Sequence, residues 1–267
     1  MMIKSKSLFS AAGLLLVMIG LTSFATACKP KKPEPQPGEV ITNLIGMKLA
    51  YIPVGDFNMG SPPGEKGRQD DELLHKVKIT CPFRIGMTEV TQAQWQTVMG
   101  NNPSNFTGDD LPVEKISWKS AVAFCKKLSE TEGKIYRLPT EAEWEYTCRA
   151  GVTGPIAGTG QIDDMAWYDE NSKEQSHTVA TKTPNTWGIF DMHGNVSEWC
   201  GDYYSSDYPE IQVIDPTGPS EGKYRVIRGG SWGYFEPSCR CAARSSAPPS
   251  YQLKQTGFRV VMEIEKE

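Results

Sequence analysis

Glycine and proline interrupt this chain so often that few long helices or strands can form. The sequence holds 25 glycines and 19 prolines, and both residue types weaken or end regular structure. Strand-like runs are short and cover residues 49–54, 76–80, 224–228 and 257–263. A chain with few strands and long loops needs other interactions to stabilise its fold. Disulfides, bound ions and the large bodies of its seven tryptophans and ten tyrosines can supply them.

Three segments in the first half of the chain carry signals for the start of a helix. Thr91 with Gln94, and Thr140 with Glu143, have the spacing of a capping box. Ser117 predicts the N-cap of another helix, whose apolar face recurs with helical spacing. That face consists of Ala121, Phe124, Cys125 and Leu128.

The N-terminus has the composition of an export signal. Lys4 and Lys6 precede an apolar run over residues 8–21 that is too short to cross a bilayer comfortably. Small residues stand immediately before Cys28. The pattern predicts a signal peptide over residues 1–27 and lipidation of Cys28. The alternative is secretion after the same cleavage, without a lipid.

A proline- and lysine-rich stretch follows the predicted lipidation site. Residues 28–39 contain four prolines and few apolar side chains, so they cannot bury enough surface to fold and are predicted to form a tether. Residues 40–267 are long enough for one domain with a sizeable core. These features predict a membrane-anchored lipoprotein of the cell envelope that faces the periplasm or the exterior, with the membrane as a partner.

The charge pattern argues against nucleic acid as a partner. The formal net charge is −4, and no basic run occurs outside the tether. Nucleic-acid-binding domains carry clustered lysine and arginine that neutralise phosphates.

Six cysteines remain beyond Cys28, and an exported, oxidising location favours disulfides over free thiols. The only close spacing is Cys239 with Cys241, which is not a usual zinc knuckle, and the three histidines are scattered along the chain. Zinc is therefore the weaker alternative.

Several motifs, in order along the chain, resemble one family. They include TEVTQAQW over 88–95, YRLPTEAEWEYTCRA over 136–150, PNTWGIFDMHGNVSEW over 184–199 and GGSW over 229–232. Together with further blocks they cover residues 43–263, and they resemble the formylglycine-generating enzyme (sulfatase-modifying factor) family. The resemblance implies a single α+β domain with little regular secondary structure, of the C-type-lectin-like formylglycine-generating enzyme fold.

The segment DMHGNVSE predicts a cation site. Asp191 and Glu198 are carboxylates on either side of a Gly-Asn turn, and hard cations take carboxylate and carbonyl oxygens together. By the resemblance, structural calcium is held by the side chains of Asp191 and Glu198 and the carbonyl oxygens of Gly194 and Val196. The alternative is a plain turn in which Asp191 caps nearby N–H groups.

The family's oxidase chemistry uses a pair of cysteines after the GGSW turn that binds Cu(I). By the resemblance, Tyr234 occupies the position of the first cysteine, and a shortened loop removes the second. Ser197 stands where a tryptophan usually lines the family's cleft. These departures make copper an unlikely cofactor and point away from formylglycine formation.

Cys239 and Cys241 allow two interpretations. Residues i and i+2 of an extended segment point the same way, so the pair could hold a metal and is a weak catalytic candidate. The favoured interpretation follows from the resemblance: one of the two pairs with Cys148, and the other with Cys125 or Cys200, as structural disulfides.

Two functions follow from the resemblance and its departures. The first is a binding or assembly module, in which a cleft lined by aromatic side chains holds a protein or glycan ligand. Its predicted lining is Ser197, Ser231, Trp232, Tyr234 and Phe235. The alternative is an oxidoreductase of the formylglycine-generating type that oxidises a protein cysteine or a small substrate with a metal.

Overall fold

The computed structural model describes Met2 and residues 34–208 and 211–265. The predicted signal peptide, Met2 apart, and the lipidation site at Cys28 lie outside these residues. From Pro35 onward the chain forms one compact unit. The predicted tether does not extend to residue 39 as a free segment, because Gly38 N donates to the Tyr51 carbonyl at 2.9 Å and Glu39 pairs with Arg84 at 3.3 Å.

Short elements alternate with long loops throughout this unit. The strands are β1 (Val40–Thr42), β2 (Lys48–Ile52), β3 (Gly55–Met59), β4 (His75–Ile79), β5 (Phe83–Gly86), β6 (Tyr136–Arg137), β7 (Ala166–Trp167), β8 (His193–Gly194), β9 (Ser197–Tyr203), β10 (Val213–Ile214), β11 (Arg225–Arg228), β12 (Arg244–Ala247), β13 (Thr256–Gly257) and β14 (Val261–Glu263). The helices are α1 (Gln92–Met99), α2 (Trp118–Glu132), α3 (Glu141–Arg149) and α4 (Ile162–Met165), and a 3₁₀ turn covers Glu236–Cys239.

The strands form small sheets. The largest has the order β1-β2-β5-β14-β6, so the last strand of the chain lies between two earlier ones. Val261 faces Ile85 on one side and Arg137 on the other. A second sheet, β12-β11-β9-β13, carries the family motifs of the second half of the chain. Two large clusters of buried apolar side chains fill the space between sheets and helices.

The predicted helix starts are confirmed. Thr91 and Thr140 each form a complete capping box, and Ser117 caps α2 through its side chain. The third helix ends at Arg149, and its C-cap, Ala150, has a left-handed φ of 45°.

Helix α3 lies at the centre of the domain, and all nine of its residues are buried. Its charged side chains are paired, since isolated charges could not be buried at tolerable cost. Glu145 binds both Arg149 and Arg228, and Glu141 binds Arg244. The helix is therefore held by ion pairs as well as by its apolar contacts.

The prediction of a single α+β domain with little regular secondary structure is confirmed. Within the described residues, no helix combines the length and the apolar character that crossing a membrane requires.

Candidate functional site

Strand β11 leads into a tight loop, residues 229–240, which we call the groove loop. Gly229 and Gly230 both have left-handed φ values, 94° and 67°. A Cβ atom on Gly230 would lie 2.6 Å from the Cys239 sulfur, so the loop can fold back on itself only with glycine here. The GG of the GGSW motif is therefore a requirement of the backbone.

A groove with a cavity volume of about 200 Å³ opens beside this loop. Ser197 on β9 and Tyr234 on the groove loop both line it, and Arg240 forms part of its wall. The Ser197 hydroxyl donates to the Gly230 carbonyl at 2.8 Å. This bond ties strand β9 to the groove loop.

Buried charges hold the groove wall in place. The Arg240 guanidinium binds Glu72 at 2.6 Å and Glu65 at 2.7 Å. Burial acts to raise the pKa of Glu72, but hydrogen bonds from Arg240 and Ser61 hold it below its usual value. Glu72 is therefore ionised, and Arg240 is fixed between two carboxylates.

The predicted cleft residues divide into three groups. Ser197 and Tyr234 line the groove, whereas Ser231 of the groove loop is fully buried and does not line it. Trp232 packs edge-on against Phe106 with ring centroids 5.6 Å apart. Tyr234 is 40% exposed and Phe235 is 68% exposed. The loop thus offers two aromatic side chains to solvent, and the tryptophan is a packing residue.

Cys239 and Cys241 do not form a shared ligand pair. The 3₁₀ turn that ends at Cys239 replaces the extended backbone on which the chelating interpretation depended. Cys239 packs with Ala166 and Tyr168, and burial raises the pKa of its thiol to about 12. Cys241 lies instead beside Cys148.

The sequence predicts disulfides for these cysteines, and no S–S bond joins the six cysteines of the described residues in this structure. The Cys148 and Cys241 sulfurs are neighbours at 3.6 Å, longer than the ~2.0 Å of a disulfide bond. Cys125 and Cys200 lie in the two large apolar clusters, apart from the small cluster that holds Cys239. With Cys241 beside Cys148, the second predicted pairing would join Cys239 to Cys125 or Cys200, and these residues lie in different clusters in this structure.

A cluster of buried carboxylates lies behind the groove. Glu198 accepts two hydrogen bonds from Arg259 at 2.7 Å and a third from the Trp144 indole at 2.8 Å. Asp191 has a left-handed φ of 56° and accepts from the Ala180 amide at 2.7 Å. Glu89, which the sequence did not single out, joins them through its electrostatic coupling to both.

This cluster fits a cation. Burial raises the pKa of Asp191 to about 6, and burial together with the charges of Asp191 and Glu198 raises the pKa of Glu89 well above its usual value. Asp191 Oδ1 and Glu89 Oε2 are buried without a hydrogen-bond partner among the described residues. Arg259 carries the positive charge that faces the three carboxylates among the described residues. A hard cation would satisfy both free oxygens.

The turn between the carboxylates is sterically fixed. Gly194 has a φ of 83°, and a Cβ atom there would lie 2.2 Å from the Trp167 carbonyl oxygen. Val196 is buried next to it, and its amide lies 3.5 Å from Glu89 Oε1. The four predicted calcium residues therefore share one rigid turn and strand.

The fold, the glycine turn and this carboxylate cluster define a domain of the sulfatase-modifying type. Residues 39–264 match the family described as sulfatase-modifying factor enzyme 1-like domain, FGE-sulfatase, and the chain belongs to this family.

The individual relatives include enzymes and proteins of other kinds. The chain is 36% identical to the formylglycine-generating enzyme of Streptomyces coelicolor, over 78% of this chain and 87% of the enzyme. It is 32% identical to chaperone protein LppX of Paenibacillus barcinonensis, over 56% of this chain and 69% of LppX. Three further curated relatives are longer, and the chain spans 40% to 52% of their lengths. Among solved structures, Treponema denticola variable protein 1 matches with a TM-score of 0.78 and 30% identity, covering 85% of this chain and 99% of that one.

Two residues of buried clusters, Glu89 and His193, carry no local sequence signal for their positions there. Glu89 precedes the α1 capping box, and its local pattern gives no sign of a third carboxylate. His193 was set aside as one of three scattered histidines, yet its ring lies 3.7 Å from the Cys148 sulfur. Both positions became visible only through contacts between distant parts of the chain.

Proposed function

We propose that this protein is a binding or assembly module that uses the groove beside Tyr234, and that it does not carry out the oxidase chemistry of its family. The observation that carries the proposal is the position of the sulfur atoms. Within the described residues no cysteine lines the groove, and Cys148, Cys239 and Cys241 are each 0% exposed. A substrate in the groove would therefore contact the phenol of Tyr234, at the position where the family has a cysteine thiol.

The shape of the groove favours a small chemical group. Its volume of about 200 Å³ is below the ~300–1,000 Å³ typical of sites for drug-sized ligands. It suits one side chain of a protein or one ring of a glycan. Tyr234 and Phe235 supply exposed aromatic faces with little conformational entropy to lose, which is the usual composition of a recognition surface.

Calcium is proposed as a structural ion. Glu89, Asp191 and Glu198 would supply carboxylate oxygens, with Gly194 and Val196 at the turn. Once bound, the ion would balance the carboxylate charge and hold strand β9 and the turn before it together. Its role is then to fix the back of the groove.

The proposed setting is the cell envelope. A signal peptide over residues 1–27, a lipid on Cys28 and a tether up to the start of the folded domain would hold the groove away from a membrane surface. The net charge of −4 supports a partner other than nucleic acid.

An oxidoreductase is the second candidate, and the 36% identity to a formylglycine-generating enzyme is the observation that favours it. One experiment separates the two. The purified protein is incubated with copper, a reductant and oxygen, together with a peptide that carries CxPxR. Mass spectrometry then follows conversion of the peptide cysteine to formylglycine.

The binding module predicts no conversion above that of the peptide and copper alone, and turnover by the protein would overturn it. The Streptomyces coelicolor enzyme, run in parallel, serves as the positive control.

A further inference from the structure

Three buried donor atoms converge beneath the groove loop from separate parts of the chain. Cys148 lies in the last turn of α3, His193 begins β8, and Cys241 follows the 3₁₀ turn of the groove loop. Their sulfur and imidazole nitrogen atoms all lie within 4.8 Å of one another. The two sulfurs are 3.6 Å apart, and Cys148 Sγ is 3.7 Å from His193 Nε2.

The tautomer of His193 is set by its other nitrogen. Nδ1 lies 2.6 Å from the Cys239 carbonyl, which can only accept, so Nδ1 carries the proton. Nε2 is therefore unprotonated. In this structure it accepts a hydrogen bond from the Ala157 amide at 3.2 Å, which a metal ion bound to Nε2 would replace. A ring fixed by an Nδ1–H bond to a backbone carbonyl is the usual arrangement of a metal-binding histidine.

The separations suit a small metal centre. With metal–sulfur bonds of about 2.3 Å and metal–nitrogen bonds of about 2.0–2.1 Å, tetrahedral donors lie roughly 3.5–3.8 Å apart. The separations of 3.6 and 3.7 Å fall in this interval, and the third, between Cys241 and His193, is within 4.8 Å. Donor atoms already at these distances need little movement to bind.

Charge and burial select the kind of ion. Two thiolates in a fully buried site need a nearby positive charge. Arg149 and Arg228 are the nearest candidates, but both already bind Glu145. Sulfur donors prefer soft ions over calcium or magnesium.

We propose that Cys148, His193 and Cys241 bind one soft metal ion, Cu(I) or Zn(II). Each thiol releases its proton when the ion binds, so two protons leave per ion. With all three residues at most 1% exposed, the ion would be out of reach of a substrate. Its role is to fasten the groove loop to α3 and β8, which is independent of what the groove binds.

The test uses the purified chain, fully reduced without oxygen and offered Zn(II) or Cu(I) in separate arms. Weakly held ions are removed with a competing chelator before elemental analysis. We expect about one retained ion per chain in at least one arm. X-ray absorption should show sulfur at about 2.3 Å and nitrogen at about 2.0 Å.

Variants add a second readout. Cys241→Ser and His193→Ala should each weaken retention by at least about 100-fold, the upper range for loss of even an outer-shell partner. Cys200→Ser is the matched control, since Cys200 is also 0% exposed and lies outside the cluster, and it should retain the ion. Where a variant does not fold, X-ray absorption on the unaltered protein still shows whether sulfur and nitrogen bind the ion.

Three results would overturn the site. They are no retained ion in either arm, an ion with only oxygen neighbours, and a Cys148–Cys241 disulfide in the protein as first purified without reductant.

Discussion

Arg240 and Glu72 form a two-pronged ion pair across 168 residues of sequence, with nitrogen–oxygen distances of 2.6 and 2.8 Å. Both side chains are at most 4% exposed. The pair joins the segment before β4 to the groove loop, so the shape of the groove depends on it.

Removing the arginine should destabilise the whole domain. Arg240→Met leaves Glu72 and Glu65 without their cation, and breaking a buried pair in this way costs about 3–5 kcal/mol. Urea denaturation measures the loss. Lys126→Met is the control, because Lys126 and Glu130 are exposed and 4.0 Å apart, and it should change stability by less than about 0.5 kcal/mol. Equal effects of the two variants would contradict the role assigned to Arg240.

Asp202 should make stability fall as pH rises. Burial, reinforced by the charge of Glu141, raises the pKa of Asp202 to about 8 from an ordinary value of 3.8. Between about pH 4 and 8 the folded protein keeps a proton that the unfolded chain has released, so folding weakens with increasing pH.

Asp202→Asn removes this titration, and the difference in urea stability between pH 5 and pH 8 should shrink. Asp169→Asn, at an exposed carboxylate, is the control and should keep the difference. An unchanged pH profile in Asp202→Asn would show that the Asp202 carboxyl is not protonated in the folded state.

Calcium should raise the melting temperature. An ion that binds the folded state at 100 times its dissociation constant adds about 2.7 kcal/mol, and a chelator should remove that gain. Asp191→Asn and Glu89→Gln should each reduce the calcium response, since each removes a carboxylate with a free buried oxygen. The calcium site would be refuted if the melting temperature does not change with calcium or with chelator and elemental analysis finds no metal.

Ligand binding should depend on the exposed aromatic pair of the groove loop. Screening of envelope-type peptides and glycans with the purified protein supplies a ligand, and Tyr234→Ala should then weaken its binding by about 10-fold or more, as loss of an anchor residue does. Tyr224→Ala is matched in exposure, 45% against 40% for Tyr234, and does not line the groove, so binding should be unaffected. Equal losses in both variants would place the binding surface elsewhere.

Local sequence signals predicted local structure well. Thr140 and Glu143 bond each other's backbone across one helical turn, so these two residues suffice to recognise the start of α3. The burial of that same helix was not predictable in this way. Glu141, Glu143 and Glu145 have the pattern of a solvated surface, and only arginines from distant segments, such as Arg228 and Arg244, make their burial possible.

The candidate sites show the same limit. Asp191 and Glu198 stand in one motif and could be paired by inspection. Glu89 is about a hundred positions earlier and reaches them through the fold alone. Likewise, Cys148 was predicted to have a cysteine partner, but its choice of Cys241 over Cys239 depends on a 3₁₀ turn that has no distinct sequence signature.

The place of β14 has a consequence for biosynthesis. Residues 261–263 lie between β5 and β6, so the five-stranded sheet stays open until these residues have left the ribosome. Pairing of such distant segments is slow, and the gap exposes unpaired strand edges in the meantime. A nascent chain that stalls before residue 261 would therefore be a substrate for chaperones and proteases, whatever the state of its first half.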